Sequence, residues 1–355
     1  MIIFSPGPAN ISEKVRKALT KPDICHRDAE FEGLLDSTRR MLLEALNISG
    51  GREPIIFGGS GTTAIEAVIS SFGGYGKNIL VISNGIYGER AAAIARMYDI
   101  KIEEIRMKWG QLPNLASVRN KLQSDKFGAV YIVHHETTTG LLNPLRDIAA
   151  IGRRYGKLVL TDAVSSIAGE NLDITGWGVD AAIGSANKCI RAVAGISFVI
   201  ASPNFIKTVK KCHSRSYCAD LLLHQRMESE RQQTPFTPPV QAFYAFKEAL
   251  KGLKREGVDN RIKKYKETAC LLREGLKKIG VKLFLPEDLM SNTMTVVYTP
   301  QGKAYSTLHS ELKKRGFVIY ASQGILSKNT FRLGTVGIIT KKDIERFLAI
   351  FKDLA

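Results

Sequence analysis

From about residue 53 to residue 200, short apolar runs alternate with segments whose apolar residues recur at helical spacing. PIIFG (54–58), NILVIS (78–83), KIEEIRM (101–107), AVYIVHH (129–135), KLVLTDA (157–163), AAIGSA (181–186) and ISFVIAS (196–202) read as strands. TTAIEAVISSF, GERAAAIARMY, LASVRNKLQSD and LRDIAAIGRRYG, which lie between them, read as helices. Strand and helix in alternation predict an α/β fold with a seven-stranded, mainly parallel sheet covered on both faces. Upstream, Phe31, Leu34, Leu35, Thr38, Met41, Leu42 and Ala45 form one helical stripe over 28–46.

The pattern changes after TPFTPPV (234–240), whose prolines break a helix and predict a boundary. Beyond it come a long helical stretch over 246–278, the strand-like VKLFLP, NTMTVVYTP and GFVIYAS, then FRLGTVG and the closing helix KKDIERFLAIFKDL. We expect a large domain over 15–237. A smaller α+β domain is expected from 238–355 together with the N-terminal segment 1–14.

Composition narrows the function class. The chain has 355 residues and an ordinary balance of apolar and charged residues, and no apolar run is long enough to span a bilayer. Its net charge of +17 raises the question of nucleic acid. The basic residues alternate with acids and apolar positions along 246–278, the pattern of a solvated helix face, so no nucleic-acid partner is expected. The five cysteines lack paired spacing, and MIIFSPGP lacks a basic n-region. Both point to reduced thiols in the cytoplasm.

Three short segments carry candidate chemistry. In FGGSGTTAIEAV (57–68) a strand runs through a glycine-rich turn into a helix, a backbone shape that admits an anion at the helix start. The absence of Gly-Lys-Ser/Thr excludes a nucleoside-triphosphate loop. In LVLTDAVSS (158–166), Asp162 ends a buried strand; it could cap the next helix, or keep a ring nitrogen protonated through a charge-assisted hydrogen bond. In GSANKCI (184–190), Lys188 sits among small and apolar neighbours, and enclosure lowers a lysine pKa and makes its amine nucleophilic toward an aldehyde. One helix-and-strand unit separates the two residues, which puts both at one sheet edge. His134 and His135 are adjacent on a strand and point to opposite faces, so no metal site is expected.

These segments, with SNGIYGERA, HHETTTGLLNPL, HSRS and FRLGTVG in this order and spacing, resemble the 2-aminoethylphosphonate–pyruvate aminotransferase family, class V of fold type I. The resemblance runs from SPGPANIS to the final helix. It implies pyridoxal 5′-phosphate (PLP) held by Lys188 as a Schiff base, with Asp162 on the pyridine nitrogen. It further implies Ser60, Gly61 and Thr62 around the phosphate, Asn187 nearby, Tyr87 stacked on the ring and Thr138 on its 3-hydroxyl. Thr237 would reach the phosphate from the partner subunit of a homodimer whose sites lie at the interface. Arg332 would bind the substrate's acidic group in a pocket lined by Gly7. We expect Arg215, or its hydroxyl neighbours Ser214 and Ser216, to help supply further donors to a phosphonate. The implied reaction takes the amino group of 2-aminoethylphosphonate to pyruvate by a ping-pong PLP/PMP mechanism. CHRDAEF (25–31) instead resembles alanine–glyoxylate and serine–pyruvate aminotransferases, the alternative on the same scaffold.

Overall fold

A computed structural model describes all 355 residues. The chain opens with β1 (Ile2–Ile3), α1 (Glu13–Ala18) and α2 (Ala29–Ala45). It then enters the alternating region: β2 (Glu53–Gly58), α3 (Gly61–Ser70), β3 (Asn78–Ser83), α4 (Ile86–Met97), β4 (Ile102–Arg106), α5 (Leu115–Leu122) and β5 (Phe127–Val133). After the short hairpin of β6 (His135–Glu136) and β7 (Leu141–Leu142) come α6 (Leu145–Arg154), β8 (Leu158–Asp162), β9 (Ala181–Ser185) and β10 (Ile196–Ala201).

Seven of these strands form one sheet in the order β2-β10-β9-β8-β5-β3-β4. All its pairings are parallel except those of β10, which runs antiparallel to both neighbours. Every residue of β5, β8, β9 and β10 is buried, as expected for strands covered by helices on two faces. The two faces pack into separate cores. One contains Phe31, Leu35 and Leu42 of α2, and the other contains Ile65 and Val68 of α3 and Ala91 of α4.

The second half contributes α7 (Pro203–Val209), α8 (Leu221–Glu230), α9 (Val240–Glu256), α10 (Val258–Lys278), β11 (Met294–Tyr298) and α11 (Tyr305–Lys314). Last come β12 (Phe317–Val318), β13 (Tyr320–Ala321), β14 (Thr330–Gly334) and α12 (Lys341–Leu354). A three-stranded antiparallel sheet, β11-β14-β13, lies with α10, α11 and α12 over a third core built on Phe4, Leu276, Phe331 and Phe347. Through β1, which pairs with β12, the N-terminal segment joins this smaller unit.

Three features differ from the sequence pattern. The helical stretch over 246–278 breaks at Gly257, whose φ of 81° no other residue type adopts cheaply. Also, Phe243, Phe246, Leu250, Leu253 and Tyr265 pack into the large unit's core with α2, while Leu272 and Leu276 of α10 pack into the small unit's core. Along the chain, the side chains of α9 and the first half of α10 thus pack with the large sheet, and those of the second half of α10 with the small one. Those prolines end a surface loop, and the apolar face of α9 continues the large unit. VKLFLP forms no strand of its own and contributes a single bridge, Leu283 to Val297.

Candidate active site

Two strand ends on the same side of the sheet place the central pair. Asp162 is the last residue of β8 and is 4 % exposed. Its Oδ1 accepts the Val164 N–H at 2.8 Å, while its other oxygen takes no hydrogen bond from the protein. Burial pushes its pKa up to about 6, against the opposing pull of the Val164 N–H, Lys188 and Arg90. Lys188 follows β9 by three residues, and its Nζ donates to the Pro6 carbonyl at 2.7 Å. Burial lowers its pKa to about 8, with Cys189 and Asp162 opposing and Arg332 and Arg90 assisting. Gly7 closes over the amine: a Cβ there would lie 2.5 Å from Lys188 Nζ.

The glycine-rich turn sits beside this pair. Ser60 caps α3 without spending its hydroxyl on the helix, and a Cβ on Gly61 would come within 2.8 Å of Val164, two residues past Asp162. Asn187 Oδ1 accepts the Ser185 hydroxyl at 2.6 Å, and the Asn187 carbonyl accepts the Ala9 N–H at 3.1 Å. Tyr87 is half-buried in the first turn of α4, with the Arg90 guanidinium 4.7 Å from its ring centre. Arg90 Nη1 reaches the Thr62 hydroxyl at 3.5 Å, and the guanidinium has no acidic partner within ion-pair distance.

Glu136 ties these parts together. Fully buried, it accepts N–H groups from Tyr87 (3.1 Å), Gly88 (3.3 Å) and Thr138 (3.1 Å), and the Thr138 hydroxyl at 2.6 Å. Thr138 Oγ1 in turn accepts the Ile86 N–H at 3.1 Å, so its own hydrogen is committed to Glu136. Burial raises the Glu136 pKa to about 7, the Thr138 and Gly88 donors working against it. Sequence reasoning passed over Glu136 and Arg90. A Glu before three threonines and an Arg in a helix repeat carry no spacing signal of their own.

Arg332 comes from the central strand of the small sheet, opposite Val296 and Tyr320. It has no exposed surface, yet no carboxylate lies within ion-pair distance of it. Its donors go to neutral acceptors: the Ala321 carbonyl (3.0 and 2.8 Å), the Thr137 carbonyl (3.4 Å) and Gln323 Oε1 (3.3 Å). Burial depresses its pKa, and Tyr87, Tyr320 and Glu136 offset part of that. The guanidinium also lies over the Tyr320 ring, 4.9 Å from its centre, and a buried guanidinium whose hydrogen bonds go only to neutral acceptors suits an anion.

Two expected residues stand apart. Arg215 is exposed, and its N–H bonds to the Ser70 carbonyl at the C-terminal end of α3. That is a helix length, about 15 Å, from the Ser60–Thr62 turn of the same chain. Thr237 is exposed too, two residues before Pro239, whose Cδ would lie 3.0 Å from a Cβ on Gly58. Arg27 of the His-Arg segment clamps that loop through the Thr234 and Pro235 carbonyls at 2.8 and 3.1 Å. His134 and His135 are buried, and burial drives them down to about 4 and about 3, so both are neutral. No cluster of His, Cys, Asp or Glu has metal-binding geometry, and all five cysteines are free.

The arrangement fits an aldehyde cofactor with a phosphate tail and a ring nitrogen. It offers a lysine of lowered pKa, a buried carboxylate oxygen without a protein partner, and a side-chain-free turn with an unspent hydroxyl. The comparisons agree. Residues 9–336 match the family described as Aminotransferase class-V. The chain is 36 % identical over 356 residues to the 2-aminoethylphosphonate–pyruvate transaminase of Vibrio cholerae, covering 98 % of this chain and 96 % of that protein. It is 35 % identical to the enzyme of the same name from Syntrophobacter fumaroxidans, covering 99 % and 95 %. The crystal structure of an alanine–glyoxylate aminotransferase from Nostoc superposes with a TM-score of 0.93 at 25 % identity, covering 99 % of this chain and 94 % of that one.

Proposed function

This chain belongs to the class V aminotransferases, and from that premise we propose that it moves the amino group of 2-aminoethylphosphonate to pyruvate, yielding phosphonoacetaldehyde and L-alanine. PLP would be held by Lys188, Asp162, the Ser60–Gly61–Thr62 turn, Asn187 and Tyr87. When bound it supplies an electron sink for the carbanion formed at the amine-bearing carbon. Lys188 Nζ is the base that takes the proton from that carbon, and its lowered pKa leaves a useful share of neutral amine near pH 8. Asp162, ionised above its pKa of about 6, presents its free oxygen to a ring N–H. The Pro6–Gly7 segment covers the amine and limits access of water.

The observation that carries the reading is Arg332, buried and without an acidic partner. Its fork suits either a phosphonate or the carboxylate of pyruvate, so one residue serves both half-reactions. The names of the relatives support the phosphonate as donor. A homodimer in the cytoplasm completes the proposal. The exposure of Thr237 in one chain supports the dimer, and the free thiols support the location.

The first experiment mixes the PLP-loaded protein with single amino donors and no keto acid. Loss of the visible band with 2-aminoethylphosphonate, and not with serine or taurine, is the expected result; L-alanine, the product of the second half-reaction, should also bleach it by the reverse of that step. Loss with serine and not with 2-aminoethylphosphonate would replace the phosphonate with the alanine–glyoxylate or serine–pyruvate reaction. With both substrates, parallel double-reciprocal lines are expected, because the first product leaves before pyruvate enters. Arg332→Met should cost at least 100-fold in kcat/KM, on the order of 3 kcal/mol for a lost charged pair.

A further inference from the structure

The turn that follows Lys188 is held under strain by groups far from it in sequence. Arg191 sits in the left-handed region with φ of 68°, which costs a non-glycine residue about 1 kcal/mol or more. Its N–H closes back on the Lys188 carbonyl at 2.9 Å, so the orientation of Lys188 and the strained residue are mechanically one unit. Such a conformation persists only where the surroundings over-determine it.

Those surroundings come from the junction of α9 and α10. Arg261, 3 % exposed, donates Nη1 to the Cys189 and Ile190 carbonyls, each at 3.1 Å. Glu256 Oε2 aligns it from behind, at 2.7 and 3.0 Å, and lies 3.5 Å from Arg191. Arg191 Nε donates to the Tyr265 hydroxyl at 2.8 Å, and the same oxygen accepts the Gly337 N–H at 3.2 Å. Arg191 also lies over the Tyr265 ring, 4.8 Å from its centre. Gly337 bridges to Asn10 of the segment that covers Lys188. Behind the network opens a cavity of about 620 Å³ lined by Arg191, Glu256, Lys264, Tyr265 and Gly337 among others. On that side packing does not confine the turn, and hydrogen bonds must.

We propose that Arg261, Glu256 and Tyr265 are positioning residues for Lys188: they lock the strained turn at Cys189–Arg191 and so fix where the lysine amine points. The inference rests on Lys188 being the residue that holds PLP, and it is independent of the identity of the donor. A base that must meet a proton on a bound carbon loses about 100-fold for a misplacement of about 1 Å, so a modest loosening should be visible in the chemistry.

The test uses two variants of the full-length protein. Tyr265→Phe keeps the buried ring and deletes only the hydroxyl. Arg261→Lys keeps the charge and loses the two-carbonyl grip. Each is stripped of cofactor and mixed with PLP alone, and the rate at which the visible band returns is measured. Steady-state kcat and KM and the thermal midpoint are measured alongside. The expected result is recovery of the band slowed about tenfold and kcat reduced about tenfold, with KM within twofold of wild type. A purely architectural role would lower the thermal midpoint and leave the rate of band recovery and kcat unchanged, and that result overturns the proposal. If Arg261→Lys does not fold, Tyr265→Phe decides between the same two outcomes. A wild-type protein that gains no visible band with PLP would defeat both this inference and the cofactor reading. A normal band with a different donor would leave the inference intact.

Discussion

Lys188 and Asp162 are displaced toward each other on the pH scale by the same cause. Burial disfavours the charged form of each, taking the lysine down to about 8 and the aspartate up to about 6. For stability the lysine has a definite sign. Its folded pKa lies below the unfolded value, so the unfolded chain binds more protons between about pH 8 and the ordinary lysine range. Below that window the cofactor-free protein carries a constant penalty, which disappears as the pH rises through it. Lys188→Met in the cofactor-free protein should therefore be more stable than wild type at pH 7, by on the order of 2 kcal/mol after allowing for partial solvation. The gain should fade in denaturant titrations repeated from pH 8 to pH 10.5; a gain that ignores pH would refute the buried-charge account. Their place at one sheet edge was legible in the sequence because Asp162 ends an apolar strand and Lys188 follows another by three residues, where a charged side chain has few other uses. Arg332 was legible only through the FRLG motif. Its lack of an acidic partner is a property of three-dimensional surroundings.

At the scale of elements, the site is made by the starts of helices. α3 begins at the glycine-rich turn and α4 at Gly85, where Glu136 fills the space a Cβ would need and collects the first N–H groups of the helix. Each Glu136 oxygen faces donors only: Oε1 takes the Thr138 pair and Oε2 the Tyr87 and Gly88 N–H groups. A carboxylate satisfies all four, whereas an amide must turn its NH2 toward one pair. Glu136→Gln should therefore cost on the order of 1–3 kcal/mol and tilt the turn that presents Tyr87. Its PLP dissociation constant, measured by equilibrium titration of the visible band, should rise about tenfold. Unchanged affinity would mean that Tyr87 does not depend on this anchor. The strands and helices of the large unit were readable from the sequence because burial on two faces imposes near-continuous apolar runs, and amphipathic cover imposes helical spacing. Two things were not readable. A single glycine at 257 could be tolerated within a helix or end one, and only its φ distinguishes these. The face of α9 that meets α2 looks like any amphipathic face until its partner is known, and that partner joins α9 to the core of the large sheet.

For the whole molecule, the question is which chain completes which site. One chain brings together Lys188, Asp162, the Ser60–Thr62 turn, Tyr87 and Gly7, with Arg332 delivered by the small unit. It leaves Thr237 exposed on a loop that Arg27 holds at the edge of β2. In a two-fold dimer each chain's loop would be exchanged with the other's, and subunit mixing can detect this. Take Lys188→Ala and Thr237→Ala, each nearly inactive at limiting PLP as a pure protein, and let them reassort from mild denaturant in equal amounts. If Thr237 serves the partner's site, a hybrid dimer has one doubly defective site and one site with both residues intact. Random pairing makes about half the dimers hybrid, so activity should return to about a quarter of wild type. If Thr237 serves its own chain, every site in the hybrid lacks one residue and mixing restores nothing. That second outcome would leave Lys188 and Arg332 in place and remove the reason for placing the phosphate at a subunit boundary. The proposed donor would be untouched by either result, because Arg332, the residue proposed to recognise the acidic group, sits within the same chain as Lys188, the proposed base.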